Sequence, residues 1–102
     1  MYVNLSSLNV LVTGASRGIG QAVASKLAEA GAAVAVHYNK NVREAENLAH
    51  VIGNDSQPFQ ADLSKADEVN SLFDRVIGEF GSLEILINNA GMAIATPINN
   101  GD

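Results

Sequence analysis

Residues 13–20 read TGASRGIG, a threonine followed by three glycines at fixed spacings. The residues before this stretch, VLV at 10–12, form an apolar run typical of a strand that is buried on both faces. After it, apolar residues recur at the helical spacing of three to four: Ile19, Val23, Leu27 and Ala30. A glycine-rich turn between a strand and a helix is typical of a phosphate-binding loop, because the helix N-terminus presents free N–H groups and a positive dipole end.

The alternation of strand and helix continues along the whole chain. Further strands are predicted at residues 33–38, 58–61 and 83–88. Glycine ends each of the three predicted helices: Gly31, Gly53 and Gly81. The order β-α-β-α-β-α-β predicts an α/β, partial Rossmann fold of the doubly wound, three-layer type. Its four parallel strands should lie in the order 3-2-1-4, with the first two helices on one face and the third on the other.

Two helix starts are predicted from capping residues. Asn41 is expected to cap the second helix, with Glu44 three residues later completing a capping box. Ser64 is expected to cap the third helix.

Composition restricts the class of protein. The 102 residues suffice for one domain, taken as residues 1–102, and 47% of them are hydrophobic. A net charge of −5 without a basic stripe argues against nucleic-acid binding, and the absence of cysteine excludes disulfides and thiolate metal sites. No apolar run is long enough to span a bilayer, so a cytoplasmic protein without a membrane partner is expected. Residues 92–102 are expected to be loose.

Each glycine of the turn has a distinct expected role. Gly14 allows a sharp exit from the strand, Gly18 allows the backbone to approach a pyrophosphate, and Gly20 allows the helix to lie close to the sheet. Glycines at this spacing also arise by chance, and the spacing is one residue longer than GxGxxG. A plain strand-to-helix turn therefore remains the alternative.

Two further segments are predicted to face the same crevice. NNAG at residues 88–91 follows the fourth strand, where asparagine side chains can hydrogen-bond a neighbouring loop and a ribose. Asp62 and Leu63 follow the third strand, where they could reach an adenine amino group. The alternatives are an Asn-rich turn for the first segment and a polar loop before a helix for the second.

TGASRGIG, Asp62-Leu63 and LINNAG, in this order, resemble the short-chain dehydrogenase/reductase family over residues 8–92. The similarity is greatest to the branch of 3-oxoacyl-[acyl-carrier-protein] reductases and glucose dehydrogenases. It implies a Rossmann fold that binds NAD or NADP, and an oxidoreductase that transfers hydride between the cofactor and a carbonyl or alcohol. It also implies the following cofactor-binding residues: Gly14, Ser16, Arg17, Gly18, Ile19, Gly20, Asn39, Asp62, Leu63, Asn89, Ala90 and Gly91.

The end of the second strand bears on the choice of cofactor. Members of the family that use NAD have an acidic residue at the position of Tyr38, and this chain has no acid between Gly31 and Arg43. Arg17 precedes the second glycine of the turn, and Lys40 is close to the second strand in sequence. Since a guanidinium binds phosphate through two hydrogen bonds, NADP(H) is the expected cofactor. A solvated loop charge remains the alternative for Arg17.

The residues that catalyse the family's reaction are not recognised in this chain. The resemblance implies a serine and a Tyr-x-x-x-Lys pair, but Ser6 and Val42 stand four residues after the two tyrosines. His37 and His50 are too far apart to suggest a metal site, although His37 could touch the adenine side. No catalytic and no metal-binding residue is therefore assigned. The alternatives to a cofactor-binding half of an oxidoreductase are a non-catalytic dinucleotide-binding module and a fragment that self-associates through the exposed edge of the fourth strand.

Overall fold

The computed structural model describes residues 4–16 and 18–89. Within them, strands and helices alternate as predicted. The elements are β1 (Asn9–Thr13), α1 (Gly18–Glu29), β2 (Ala33–Tyr38), α2 (Val42–Ile52), β3 (Gln57–Gln60), α3 (Ala66–Phe80) and β4 (Ile85–Asn88).

The four strands form one parallel sheet in the order β3-β2-β1-β4, as the sequence predicts. Val10 of β1 lies between Val34 of β2 and Ile85 of β4. The chain runs outward through β1, β2 and β3 and then returns to the other side of β1. The loops after β1 and β4 therefore diverge at the same edge of the sheet, which is where doubly wound folds bind their ligands.

Two apolar cores lie on opposite faces of the sheet, because successive side chains of a strand point to opposite sides. On one face, Val10 and Val34 pack with residues of α1 and α2 such as Ala24 and Leu48. On the other face, Leu11 packs with α3, including the fully buried Leu72. This arrangement confirms the predicted placement of the first two helices on one face and the third on the other.

The predicted cap of α2 is confirmed in position but not in its side-chain bond, and the predicted cap of α3 is wrong. Asn41 is the N-cap of α2, but its side chain makes no capping hydrogen bond, so the capping box with Glu44 does not form. The φ of −90° and ψ of 65° at Asn41 depart from the extended conformation in which a cap side chain reaches the first N–H groups. The N-cap of α3 is Lys65 rather than Ser64, because the Ser64 hydroxyl donates instead to Asp62.

Two strand boundaries also differ slightly from the prediction. β3 begins at Gln57, so Pro58 is its second residue, which an edge strand tolerates because one side of its backbone needs no partner. β4 begins at Ile85 rather than at residue 83. Glu84 precedes it, and its main-chain N–H donates to the main-chain oxygen of Asn9.

Candidate cofactor site

The predicted site segments gather where the strands end. Thr13 at the end of β1 pairs with Asn88 at the end of β4, and Tyr38 at the end of β2 pairs with Gln60 at the end of β3. Because parallel strands all end at one edge of the sheet, the glycine turn, Asn39, the Asp62–Leu63 segment and Asn89 follow these four ends.

The glycine turn needs glycine at its two bends. Gly14 has a φ of 63° and Gly18 a φ of 65°, values that residues with a Cβ rarely adopt. Apart from its chain neighbours and its own helix, no described atom would lie within 4 Å of a Cβ at Gly18, so the described part of the chain leaves the space beside the first residue of α1 open. Glycine is therefore required at position 18 by the left-handed backbone conformation and not by a lack of space. The open space leaves room for an anion at the helix N-terminus.

At Gly20, helix α1 lies closest to the loops that follow β1 and β4. A Cβ there would collide with the main-chain oxygen of Gly14 and lie 2.5 Å from Nδ2 of Asn89. The side-chain amide of Asn89 donates to that same Gly14 oxygen at 3.2 Å, so the loop after β4 is fastened to the turn after β1. The neighbouring Asn88 accepts a hydrogen bond from the Thr13 hydroxyl at 3.1 Å. Asn89 therefore bonds the main chain of the neighbouring loop, which is one of the two functions predicted for the asparagines, whereas Asn88 joins β4 to β1.

Ser16 and Ile19 flank the turn in opposite environments. Ser16 is buried and lies at a groove between α1 and α2, whereas Ile19 is 75% exposed on the first turn of α1. An isoleucine this exposed gives the open side of the turn an apolar surface.

His37 has a role that the sequence analysis missed. It lies inside β2, is 3% exposed, and accepts a hydrogen bond at Nδ1 from the Gly14 N–H at 2.9 Å. Its Nε2 lies 2.9 Å from the main-chain oxygen of Ala61. His37 was expected to be able to touch the adenine side, but both of its ring nitrogens are hydrogen-bonded within the protein. The burial of His37 could have been predicted from β2, because residues 35 and 37 lie on the same face of the strand and Ala35 is in the core. A buried polar side chain needs hydrogen-bond partners within the protein.

Burial holds the pKa of His37 below its usual value, because the charged imidazolium would lose its hydration. The hydrogen bond to Ala61 opposes this effect, while the positive charge of Arg75 adds to it. Neutral imidazole is thus the form that the fold favours.

The Asp62–Leu63 segment is fixed by local hydrogen bonds. Oδ1 of Asp62 accepts from the main-chain N–H and the hydroxyl of Ser64, at 3.0 and 2.7 Å, and these bonds lower the pKa of the Asp62 carboxyl. Its main-chain N–H donates to Glu68 at 2.7 Å. The Leu63 side chain is buried in the core beneath α3, so the surface that Leu63 can offer a ligand is main chain.

The remaining predicted residues are more peripheral or lie outside the described part. Asn39 is exposed after β2, and its main-chain oxygen accepts a hydrogen bond from the Gln60 side chain at 3.2 Å. Arg17, Ala90 and Gly91 lie outside the described residues, as do residues 92–102.

The described residues contain neither a metal-binding cluster nor a membrane-spanning helix. Across residues 4–16 and 18–89, no three His, Asp or Glu side chains cluster in a way that could hold a metal ion. Nor is any helix of this part both long and apolar enough to cross a membrane. The cytoplasmic location stays a prediction.

The sequence matches the model of a known protein family. The family model described as short chain dehydrogenase matches residues 8–102, which include the glycine turn and the two asparagines. The chain belongs to the short-chain dehydrogenase family. This membership confirms the resemblance seen in TGASRGIG and LINNAG.

Curated relatives agree with this membership. The chain is 47% identical over 87 residues to the 3-oxoacyl-[acyl-carrier-protein] reductase FabG of Staphylococcus aureus, a match that covers 82% of the chain and 35% of that protein. It is 42% identical over 91 residues to a short-chain type dehydrogenase/reductase of Picea abies, covering 80% and 34% respectively. The chain therefore spans about a third of the length of these relatives.

Solved structures of the family share the fold. A short chain dehydrogenase from Burkholderia cenocepacia in complex with NADP has a TM-score of 0.83 and 42% identity, covering 87% of this chain and 38% of its own. A dehydrogenase/reductase from Sinorhizobium meliloti also has a TM-score of 0.83, with 34% identity, covering 93% and 39%. The sheet order predicted from the sequence is thus the order of a known family fold.

Proposed function

We propose that this chain is the NADP(H)-binding part of an oxidoreductase that transfers hydride between the cofactor and a carbonyl or alcohol substrate. The observation that carries the proposal is the glycine turn, which bends at Gly14 and Gly18 and leaves open space at the N-terminus of α1. Its position at the divergence of the β1 and β4 loops is the ligand position of doubly wound folds.

The residues present fit the phosphates of a dinucleotide. Gly14, Ser16, Gly18 and Gly20 would supply the main-chain surface around the pyrophosphate, with Arg17 beside them, and the α1 N-terminus would attract its charge. Asp62 and the main chain of Leu63 would border the adenine, Asn39 its ribose, and Asn89, Ala90 and Gly91 the ribose next to the nicotinamide. Bound NADPH would supply the hydride for reduction of a carbonyl.

The preference for NADP(H) over NAD(H) rests on the end of β2. Tyr38, Asn39 and Lys40 occupy this position, and none of them is an acid that would repel a 2′-phosphate. The family member from Burkholderia cenocepacia that matches this fold was solved with NADP, which supports the same preference.

Titration calorimetry of the purified chain with NADPH and with NADH tests this function. We expect NADPH to bind more tightly by about tenfold, as one charged hydrogen bond to the 2′-phosphate would give. Stronger binding of NADH would contradict the cofactor preference, and no binding of either dinucleotide would contradict the function itself.

We infer that the chain alone binds the cofactor without turnover, because neither of its tyrosines is followed by a lysine four residues later. A tyrosine whose pKa is lowered by a nearby lysine is what the family resemblance implies for proton transfer. NADPH fluorescence should show binding but no carbonyl-dependent oxidation. Measurable turnover of a carbonyl compound by the pure chain would refute this inference.

A second role, self-association, is favoured by the position of β4. In the described part of the chain β4 lies at the edge of the sheet, and Ile85, Leu86 and Ile87 are each half-buried. An edge strand with apolar side chains is a template for pairing with another chain. We expect light scattering to show dimers or larger species at high concentration, and fewer of them after Leu86→Lys. A monomer at all concentrations would contradict this role.

A further inference from the structure

His37 joins two segments of the proposed cofactor site. Its Nδ1 accepts a hydrogen bond from the Gly14 N–H in the glycine turn, and its Nε2 bonds to the main-chain oxygen of Ala61, the residue before Asp62. Its own main-chain oxygen accepts from the Ala15 N–H at 3.0 Å. One residue of β2 thus contacts the loop that follows β1 and the loop that follows β3.

The two ring contacts specify one form of the imidazole. A main-chain N–H can only donate and a main-chain oxygen can only accept. Nδ1 must therefore be unprotonated, and Nε2 must carry the hydrogen. Protonation would add a hydrogen to Nδ1 and turn it toward the Gly14 N–H. Two donors would then face each other, and the bond that holds the turn would be lost.

Within residues 4–16 and 18–89, the one charge that acts appreciably on the His37 ring is that of Arg75, so this part of the chain supplies no counter-charge. On α3, the positive charge of Arg75 acts on the ring and disfavours its protonation. The Asp62 carboxylate after β3 accepts hydrogen bonds from Ser64, and Glu68 of α3 accepts one from the Asp62 N–H. On the β1 side, the ring meets the main chain of Gly14. Protonation of His37 in acid would therefore place a charge on a buried ring beside a cation.

We propose that neutral His37 is a positioning residue that holds the glycine turn and the Asp62–Leu63 segment in place for NADP(H), and that its protonation weakens cofactor binding. The proposal rests on the proposed function, since it concerns the same site. His37 itself is not required to touch the cofactor.

Two neutral variants separate the two ring contacts. In His37→Asn, the side-chain oxygen can occupy the position of Nδ1 and accept from Gly14, but it does not titrate. In His37→Gln, the side-chain nitrogen can occupy the position of Nε2 and donate to Ala61. His37→Leu removes both contacts and measures their combined effect on NADP⁺ affinity.

Calorimetric titration with NADP⁺, from pH 8 down through the pH at which the ring of His37 takes up its proton, is the binding experiment. We expect the dissociation constant of the unmodified chain to rise by about tenfold more than that of His37→Asn, the effect of one lost hydrogen bond. Comparison of the two proteins removes the effect of protonation of the ligand's own phosphate. His37→Leu should bind weakly throughout the range. His37→Asn keeps the Gly14 contact but loses the Ala61 contact, so its affinity at pH 8 should lie between those of the unmodified chain and His37→Leu. An identical pH dependence of the unmodified chain and His37→Asn would overturn the inference and leave the proposed function standing.

NMR of the chain without cofactor tests the role of His37 independently of the proposed NADP(H)-binding function. In ¹⁵N-labelled chain, the ring nitrogens of His37 should report hydrogen on Nε2, and the Gly14 and Asp62 amide signals should shift with the same midpoint as the ring. Hydrogen on Nδ1, or a Gly14 signal that ignores the titration of His37, would overturn the inference. If NADP⁺ fails to bind at every pH, the proposed function fails, while these amide signals still decide whether His37 couples the two segments.

Discussion

The side-chain amide of Asn89 donates to the main-chain oxygen of Gly14 at 3.2 Å, which joins the end of β4 to the turn after β1 across 75 residues of sequence. Gly20 completes this contact, because a Cβ on it would collide with the same oxygen and with the Asn89 amide. The two loops of the proposed site are therefore one packed unit, and a change in any of the three residues should disturb both loops.

Replacement of Asn89 by alanine should weaken this unit. The Gly14 oxygen would lose its side-chain donor, and we expect the free energy of unfolding to fall by about 1 kcal/mol, the net value of one hydrogen bond. NADPH affinity should fall as well. Urea denaturation and calorimetry would measure the two effects. Asn47→Ala on the exposed surface of α2 is the control and should change the unfolding free energy by less than about 0.5 kcal/mol. Equal effects at both positions would show that the contact contributes nothing.

Two glycine-to-alanine substitutions in helices should have opposite signs. Gly20→Ala forces a methyl group against Gly14 and Asn89, and we expect it to destabilise the chain by about 1–3 kcal/mol. Gly78→Ala in α3 meets no atom within 4 Å and should stabilise the chain by about 0.5–1 kcal/mol through helix propensity. Thermal unfolding followed by circular dichroism would compare them. If Gly20→Ala left the thermal stability unchanged, α1 would be able to move away from the turn at no cost.

An acid at the end of β2 should change the cofactor preference. Tyr38→Asp would place a carboxylate where it repels a 2′-phosphate, and we expect NADPH binding to weaken by about tenfold or more relative to NADH. Tyr38→Asn is the matched control, since it loses the same packing of the tyrosine ring without adding a charge. Parallel losses for both dinucleotides in both variants would show that position 38 does not sense the phosphate.

The chain should lose stability in acid through Glu84. The Ser82 hydroxyl and the main-chain N–H of Asn9, which donates to Oε1 at 2.7 Å, hold the pKa of the Glu84 carboxyl below its ordinary value. A lowered folded pKa means that the unfolded chain binds the proton first, so this stability is present above pH 4.5 and is lost as the pH falls below it.

Glu84→Gln provides the test because it keeps an acceptor for Asn9 but does not titrate. Urea midpoints measured from pH 7 to pH 3 should fall less steeply in this variant below pH 4.5. His37, whose pKa is also lowered, contributes a separate loss that begins near pH 6.5, so the slope above pH 5 should be the same in both proteins. If the urea midpoint of Glu84→Gln fell as steeply below pH 4.5 as that of the unmodified chain, the role of Glu84 would be contradicted.

The order of elements was predictable because it rests on local patterns. Apolar runs predict strands, three-to-four spacings predict helices, and their strict alternation allows few sheet topologies. The caps of α2 and α3 were less predictable. Asn41 and Ser64 are residues that favour caps, but backbone angles decide the first case and the nearby Asp62 carboxylate decides the second.

The sequence by itself determined the alternating fold, the glycine turn after β1 and membership of a family, because these depend on residue type and spacing along the chain. The tertiary structure alone decided which atoms meet across the sheet. Asn89 reaches Gly14, and His37 joins Gly14 to Ala61, only because parallel strands bring distant strand ends to one edge. Spacing carries no information about such contacts, since hydrogen bonds depend on distances of about 3 Å that folding creates between residues far apart in sequence.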